Sequence, residues 1–300
     1  MYTLSAPTLP CCLSDDALAR LIYEDVPYLD LTTHALGIGD APGTITFAAR
    51  QPTVIAGTEE AGRLFTLCGA TVTLTTRSGS RVGPGDVVLA AEGPAQALHQ
   101  GWKVAVNLLE YVSGIATRAR TLVDAARQVH PTVTIATTRK IFPGTKALAV
   151  KGILAGGAVP HRLGLSETIL IFPQHRAFLG GLAGLCHALR MLKQTGRDHT
   201  LGVEVEGLDD ALAVAEAGAD LIQFDKLPVA ELRQAVQMLR PRFPSLTLVA
   251  AGGLTSANIQ AFAETGVDVL ATTWPYFGTP ADMGVTMTTP DHVHAGGVTR

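Results

Sequence analysis

The sequence predicts an α/β protein in which an N-terminal α+β domain precedes a parallel α/β barrel. Three observations carry this. Beyond residue 118 strand-like and helix-like stretches alternate at intervals of roughly 20 to 35 residues, the cadence of βα units wound into a barrel. Apolar residues make up 47 % of the chain and aromatics only 5 %, so the core is aliphatic, as in parallel sheets covered by helices. No GxGxxG follows the first of these strands, which argues against a Rossmann arrangement.

Taken in order, residues 43–49, 70–75 and 86–90 read as short strands rich in Thr, Val and Ala, with a Gly/Pro-rich turn over 78–88 between the last two. A helix is expected from about Gly57 to Cys68. A longer one is expected from Pro94 through Leu98, Val104, Leu108, Leu109 and Val112. These define a first domain over 1–118. A barrel domain over 119–275 follows, with strands at 132–138, 167–172, 200–206, 220–225, 246–251 and 267–272 and helices such as 208–217 and 229–239. Six strands leave two alternatives, one more hidden strand or an incomplete barrel. Residues 276–300 are expected to return to the first domain and end in a frayed tail that holds His292 and His294.

Composition excludes several function classes. The chain has 300 residues, 23 basic against 26 acidic, with a net charge of −3 and no Lys/Arg tract, so nucleic acid is a poor partner. No apolar run approaches the length of a membrane span, and the N-terminus lacks the basic start and apolar stretch of a secretory signal. Cys11, Cys12, Cys68 and Cys186 show neither CxxC pairing nor zinc-finger spacing; they read as reduced thiols of a cytoplasmic protein.

Chemistry is expected at the C-terminal strand ends, where barrel active sites lie. Those ends carry Arg139 and Lys140, Glu204 and Glu206, Asp225 and Lys226, and Gly252–Gly253, with His161 and Arg162 in the loop before the second of the six strands. Strand alternation turns Val203, Val205, Ile222 and Phe224 toward the helices. It turns Glu204, Glu206, Gln223, Asp225, Thr134, Ala136, Thr138 and Lys140 inward, and Arg139 contributes only if its strand has ended. Gly252–Gly253 followed by Thr255, Ser256 and a helix reads as a phosphate cradle. Carboxylates, cations and such a cradle on one rim imply a phosphorylated sugar with a divalent cation held by Glu204 and Asp225.

These residues bring a family into view. The segments EDVPYLDLTT (24–33), NLLEYVSGIATRAR (107–120), ATTRKIFPGTKAL (136–148), HRLGLSETILI (161–171), VEVEGLDDA (203–211) and AAGGLTSANI (250–259) resemble the nicotinate-nucleotide pyrophosphorylases, or quinolinate phosphoribosyltransferases. The run over 137–181 looks closest to their ModD branch, which is associated with molybdate transport. The resemblance implies a type II phosphoribosyltransferase: an α+β domain, an incomplete barrel, phosphoribosyl pyrophosphate (PRPP) with Mg²⁺ at the barrel mouth, and a homodimer or higher homo-oligomer whose active sites are shared between subunits. It implies that Arg139, His161 and Arg162 bind the aromatic acid, with Phe172 and His175 on that same side. Lys140, Glu204 and Asp225 would serve the ribose, pyrophosphate and metal, and Gly252, Gly253 and Ser256 the 5′-phosphate. Lys103 would reach the neighbouring subunit.

Two departures from the family pattern bear on the acceptor. Phe172-Pro173-Gln174-His175 stands where the family has Lys-Asp-Asn-His, and Trp102-Lys103 stands where it has Glu-Arg. Both fall on contacts to a dicarboxylate, and Lys lacks the bidentate fork of Arg. The expected acceptor is therefore not quinolinate but a monocarboxylate or a larger neutral ring. The competing reading is a catalytically weak binding protein linked to molybdate uptake.

Overall fold

The computed structural model describes residues 9–195 and 198–290, so the expected frayed tail with its two histidines lies outside the described residues. The chain forms two compact units: Met1–Arg120 with Phe142–Gly157 and Pro275–Arg300, and Thr121–Ile141 with Ala158–Trp274.

The first unit is built on a four-stranded antiparallel sheet in the order 283–288, 42–49, 87–94, 71–75. The late strand Met283–Thr288 lies against Pro42–Ala49, with Thr44 opposite Thr288 and Ala49 opposite Met283. Helix Thr58–Cys68 covers this sheet and buries Leu64 and Phe65 beside Ile45, Phe47 and Leu89. Gly57, at φ 91°, starts that helix. A Cβ there would stand 2.6 Å from Leu108 Cδ2, and the left-handed backbone would strain any other residue.

Two expectations about boundaries are corrected. The change of character near residue 118 falls inside a continuous helix, Ala95–Val129, and the units divide after Arg120. Ser113, Gly114 and Thr117 lie in the helix just before this point without ending it, so the shift in pattern marks what the chain does on either side, not a break. Pro94 ends the preceding strand rather than opening the helix.

The second correction concerns 142–157, expected in the barrel domain but part of the first unit. Its helix, Lys146–Ala155, carries the reason. Lys151, 2 % exposed at its side chain, donates to Glu60 Oε1 at 2.8 Å and Oε2 at 2.6 Å, and also to the carbonyl of Pro10 at 3.0 Å. Glu59 Oε2 lies 2.9 Å from the same ammonium. Burial opposes the charge on Lys151, but hydrogen bonds to Glu59 and Glu60 outweigh it and raise its pKa. Gly152 and Gly156 let this helix approach 95–129 closely: a Cβ on Gly156 would sit 2.5 Å from the Ala116 carbonyl oxygen.

The second unit is a parallel half-barrel of seven strands: β1 (Thr134–Thr137), β2 (Val159–Pro160), β3 (Ile169–Ile171), β4 (Leu201–Val205), β5 (Leu221–Asp225), β6 (Thr247–Ala251) and β7 (Val269–Thr272). Their order is β2-β1-β7-β6-β5-β4-β3. Each strand thus lies beside the next in sequence, and the last lies beside the first. Among the described residues the single break is between β2 and β3. The strand hidden from the sequence is β2, two residues long and ending in proline, which offers no periodicity to read. The barrel is also incomplete.

Apolar side chains on the outer face of β4 and β5 are sealed: Val203, Val205, Ile222 and Phe224 are at most 1 % exposed. Helices Gly181–Gln194, Leu208–Glu216 and Val229–Arg242 follow β3, β4 and β5 in turn. No described helix is long and apolar enough to cross a membrane.

Removing one member of a buried ion pair costs about 3–5 kcal/mol, because the other is left charged and unpaired. Lys151→Ala is therefore expected to lower the urea-unfolding free energy by about that amount. Adding Glu60→Gln to it should recover part of the loss, and equal stability of Lys151→Ala and the wild type would refute the pinning role.

Candidate active site

The half-barrel places most of the expected residues by register alone. Gln223 faces Glu204 on one side and Val249 on the other, Val249 faces Val269, and Val269 faces Thr134, which makes one level of the inner face. One level nearer the C-terminal mouth, Asp225 is level with Ala251, Ala271, Ala136 and Val159. Asp225 thus stands above Glu204 on the same side, beside three alanines that leave space around it.

Glu204 is half-buried, and its Oε2 accepts from Gln223 Nε2 at 2.6 Å. Burial raises the Glu204 carboxyl above its ordinary range. The Gln223 hydrogen bond lowers it, the Asp225 charge raises it, and the charges of Lys140 and Lys226 lower it. Asp225, Lys140 and Lys226 therefore all act on the one carboxyl.

Lys140 is exposed, but not for the alternation reason. β1 ends at Thr137, so both Arg139 and Lys140 lie in the loop beyond it, where alternation has no force. Thr138 N donates to Thr272 O at 3.0 Å and Lys140 N to Thr138 Oγ1 at 3.2 Å, which fixes the start of this loop. Glu206, expected inward, is likewise past the end of its strand and exposed.

Arg162, 9 % exposed, follows β2. Its guanidinium sits 5.5 Å from the centroid of Phe172, and Phe172 stacks on His175 at 5.9 Å with the rings 24° apart. Burial and the neighbouring Arg139 charge weaken the hold of Arg162 on its proton, and Glu167 opposes them. Pro173 opens a one-turn helix, Pro173–Arg176, at the position where proline loses no helical hydrogen bond. The Phe172 amide donates to His175 Nδ1 at 3.0 Å. Burial, then the Arg162 charge, lowers the pKa of His161.

Gly252 and Gly253 both lie in the left-handed region, at φ 86° and 72°. A Cβ on Gly252 would stand 2.6 Å from Asp225 Oδ1, whereas one on Gly253 would meet open space. The helix expected straight after them begins only at Ile259 and is five residues long. Thr255 Oγ1 accepts from Ala257 N at 3.3 Å, and Asn258 closes the loop: its Oδ1 accepts from Thr255 N at 2.8 Å and its Nδ2 donates to Gly253 O at 3.0 Å. Ser256 is exposed in that loop. Any anion held here would rest on glycine backbone, not on a helix terminus.

Lys226, one of several charges at the strand ends, is set apart only by its backbone. It has φ 56°, the one positive value among described non-glycine residues, a conformation that costs an ordinary side chain about 1–2 kcal/mol. Its ammonium is 3.7 Å from Asp225 Oδ2. Lys103 belongs to the first unit, exposed on helix Ala95–Val129, with its ammonium 4.9 Å from the centroid of Trp102. A cleft of about 390 Å³ in the first unit, lined by Cys11, Glu59, Arg63 and Val72 among others, contains none of the expected residues. The four cysteines are free thiols.

Comparison with known proteins settles the family. Residues 30–113 match the N-terminal domain and 115–285 the C-terminal domain of quinolinate phosphoribosyl transferase. The chain belongs to the quinolinate phosphoribosyltransferase family. Its relatives include the ModD protein of Rhodobacter capsulatus, whose name provisionally makes it a pyrophosphorylase. That protein is 42 % identical over 254 residues, which cover 85 % of this chain and 97 % of the relative. The human nicotinate-nucleotide pyrophosphorylase (carboxylating) is 36 % identical, over 89 % of this chain and 90 % of its own. The crystal structure of NadC from Streptococcus pyogenes superimposes with a TM-score of 0.82 at 25 % identity, covering 92 % of this chain and 96 % of that one. The half-barrel open between β2 and β3 is thus the barrel of this phosphoribosyltransferase family.

A histidine whose folded pKa is depressed leaves the unfolded state to bind the proton first. His161 therefore adds nothing to the pH dependence of stability above its unfolded value of about 6.5. As pH falls from there to its folded pKa, stability declines, and it levels off below. NMR titration of the imidazole is expected to give a midpoint below 6.5, and His161→Gln should remove that part of the acid destabilisation. A midpoint at or above 6.5 contradicts the burial argument.

Proposed function

We propose that this chain transfers the phosphoribosyl group of PRPP to a pyridine or other heteroaromatic acid and releases pyrophosphate, and that quinolinate is a poor acceptor. The observation that supports it above others is the convergence of Glu204, Asp225, Lys140 and Lys226 at the C-terminal mouth of a half-barrel in this family.

In this reading the bond between ribose C1 and the pyrophosphate oxygen breaks with its electron pair on the leaving group, and the acceptor ring nitrogen supplies the pair for the new bond to C1. Positive charge builds on the sugar and negative charge on the pyrophosphate. Glu204 and Asp225 oppose the first, and Lys140 opposes the second. Gln223 holds Glu204 in place, so the carboxylate needs no reorientation as charge develops. Arg139, His161 and Arg162 orient the acid.

Glu204 and Asp225 suit Mg²⁺ that arrives with its diphosphate. They are two carboxylates close enough to repel, and no described group of three His, Cys, Asp or Glu could hold a resident ion. When bound, the ion supplies charge neutralisation of the leaving pyrophosphate. Gly252 and Gly253 would receive the 5′-phosphate through backbone amides, with Ser256 beside them.

Phe172 directs the acceptor choice. An apolar ring, with Arg162 on one face and His175 stacked against it, stands where a dicarboxylate would need another cation. Leaving one carboxylate unpaired costs about 1–3 kcal/mol, which is roughly a tenfold to hundredfold loss. The expected result is kcat/KM for quinolinate lower than that of the carboxylating relatives by about that factor, partly restored in Phe172→Lys. Equal turnover of quinolinate by the wild type and the relatives would refute the acceptor shift. The second reading, an anion-binding protein of low turnover linked to molybdate uptake, draws on the same loss of charge at 172 and 173. Pyrophosphate release with a panel of heteroaromatic acids separates the two.

A homodimer with Lys103 reaching its partner's acceptor site belongs to the same proposal. Tyr28 in the first unit and Phe178 in the second are each 92 % exposed, which suits surfaces made to be covered. Sedimentation at micromolar concentration is expected to give a dimer, and a monomer would count against it. Four free thiols suit a cytoplasmic setting.

A further inference from the structure

Lys226 stands at the end of β5, directly after Asp225, and is the described non-glycine residue with a left-handed backbone. Its amide donates to Ala251 O at 2.7 Å, which carries the β5–β6 ladder one residue further and locks the turn. The stem crosses Gly252 so closely that a Cβ there would lie 2.5 Å from Lys226 Cγ and 3.0 Å from Lys226 N. The left-handed lysine and the glycine beneath it are therefore one arrangement. It sends the side chain past Gly252 and leaves the side chain 77 % exposed, with the ammonium 3.7 Å from Asp225 Oδ2.

Glycine would hold this conformation without strain, and asparagine with little. A lysine gains nothing structural that compensates: its ammonium makes a long, exposed contact of the kind that contributes little to stability. Strain maintained at a strand end in a ligand-binding mouth points to use of the side chain itself.

We propose that Lys226 is a binding residue for a phosphate group of the sugar-phosphate donor. Like Lys140 it acts on the Glu204 carboxyl, and it also stands 3.7 Å from Asp225 Oδ2, so two cations attend the carboxylates at the mouth. It stands at the strand end in this chain, so the cation absent from position 172 on the acceptor side has no bearing on it. The inference rests on the proposed phosphoribosyl transfer.

The test measures calorimetric affinity for PRPP, inorganic pyrophosphate and ribose 5-phosphate, each with Mg²⁺, for the wild type, Lys226→Asn, Lys226→Gly and Lys226→Arg. The neutral variants suit the backbone, so thermal midpoints at or above the wild-type value are expected. PRPP binding should weaken about tenfold in both, as the loss of a charge-assisted contact implies, and should stay close to wild type in Lys226→Arg. Weaker pyrophosphate binding assigns Lys226 to the leaving group; weaker ribose 5-phosphate binding assigns it to the 5′-phosphate. Unchanged affinities in Lys226→Asn and Lys226→Gly, with the wild type binding PRPP, overturn this inference and leave the transferase reading intact. A wild type that binds none of the three probes overturns both.

Discussion

In-register pairing of β4, β5 and β6 is the constraint on which the site depends. Parallel strands set Gln223 level with Glu204 and Asp225 level with Ala251, so a side chain's height in the barrel is fixed by its place in the ladder. The outer valines, Ile222 and Phe224 make that register hard to slip, since a one-residue shift would turn them inward and the carboxylates out. The inward polar residues of β4 and β5 are thus held in place by apolar burial on the other side of the same strands. Glu204 is left in surroundings dry enough to raise its pKa, with one short hydrogen bond to steady it.

What could be read from the sequence followed from periodicity. β4 and β5 alternate cleanly, and the inward direction of Glu204, Gln223 and Asp225 was legible there. Lys140 was not, because β1 stops at Thr137 and a loop has no period. β2 escaped because two residues carry no pattern. Lys226 appeared as one more charge at a strand end; its interest lies in a backbone dihedral, and nothing in the composition of a Phe-Asp-Lys run announces one. The loop after β6 was legible as a glycine pair, but its closure by Asn258 and the late start of the helix were not, since Thr255 and Ser256 are equally good caps on paper.

The first unit shows the same limit in a different form. Lys151 lies in an apolar helical stretch next to Gly152, and a lone lysine there reads as a solvated face. Its partners, Glu59 and Glu60, are about ninety residues away in sequence, and only the fold brings them to the ammonium. That bond carries 142–157 into the first unit while its flanking segments belong to the half-barrel. A chain that leaves and re-enters one unit cannot be cut at a single point, so neither unit corresponds to one continuous segment.

An open barrel raises a problem that a closed one avoids, since strands without neighbours offer their backbone to other chains. Among the described residues the two unpaired edges of the half-barrel are β2, with two residues, and β3, with three. So short a ladder gives an incoming strand little to add to, and Pro160 brings no N–H to it. This half-barrel can therefore stay split, with Arg162 and Phe172 just beyond its edge strands, without becoming a template for edge-to-edge aggregation.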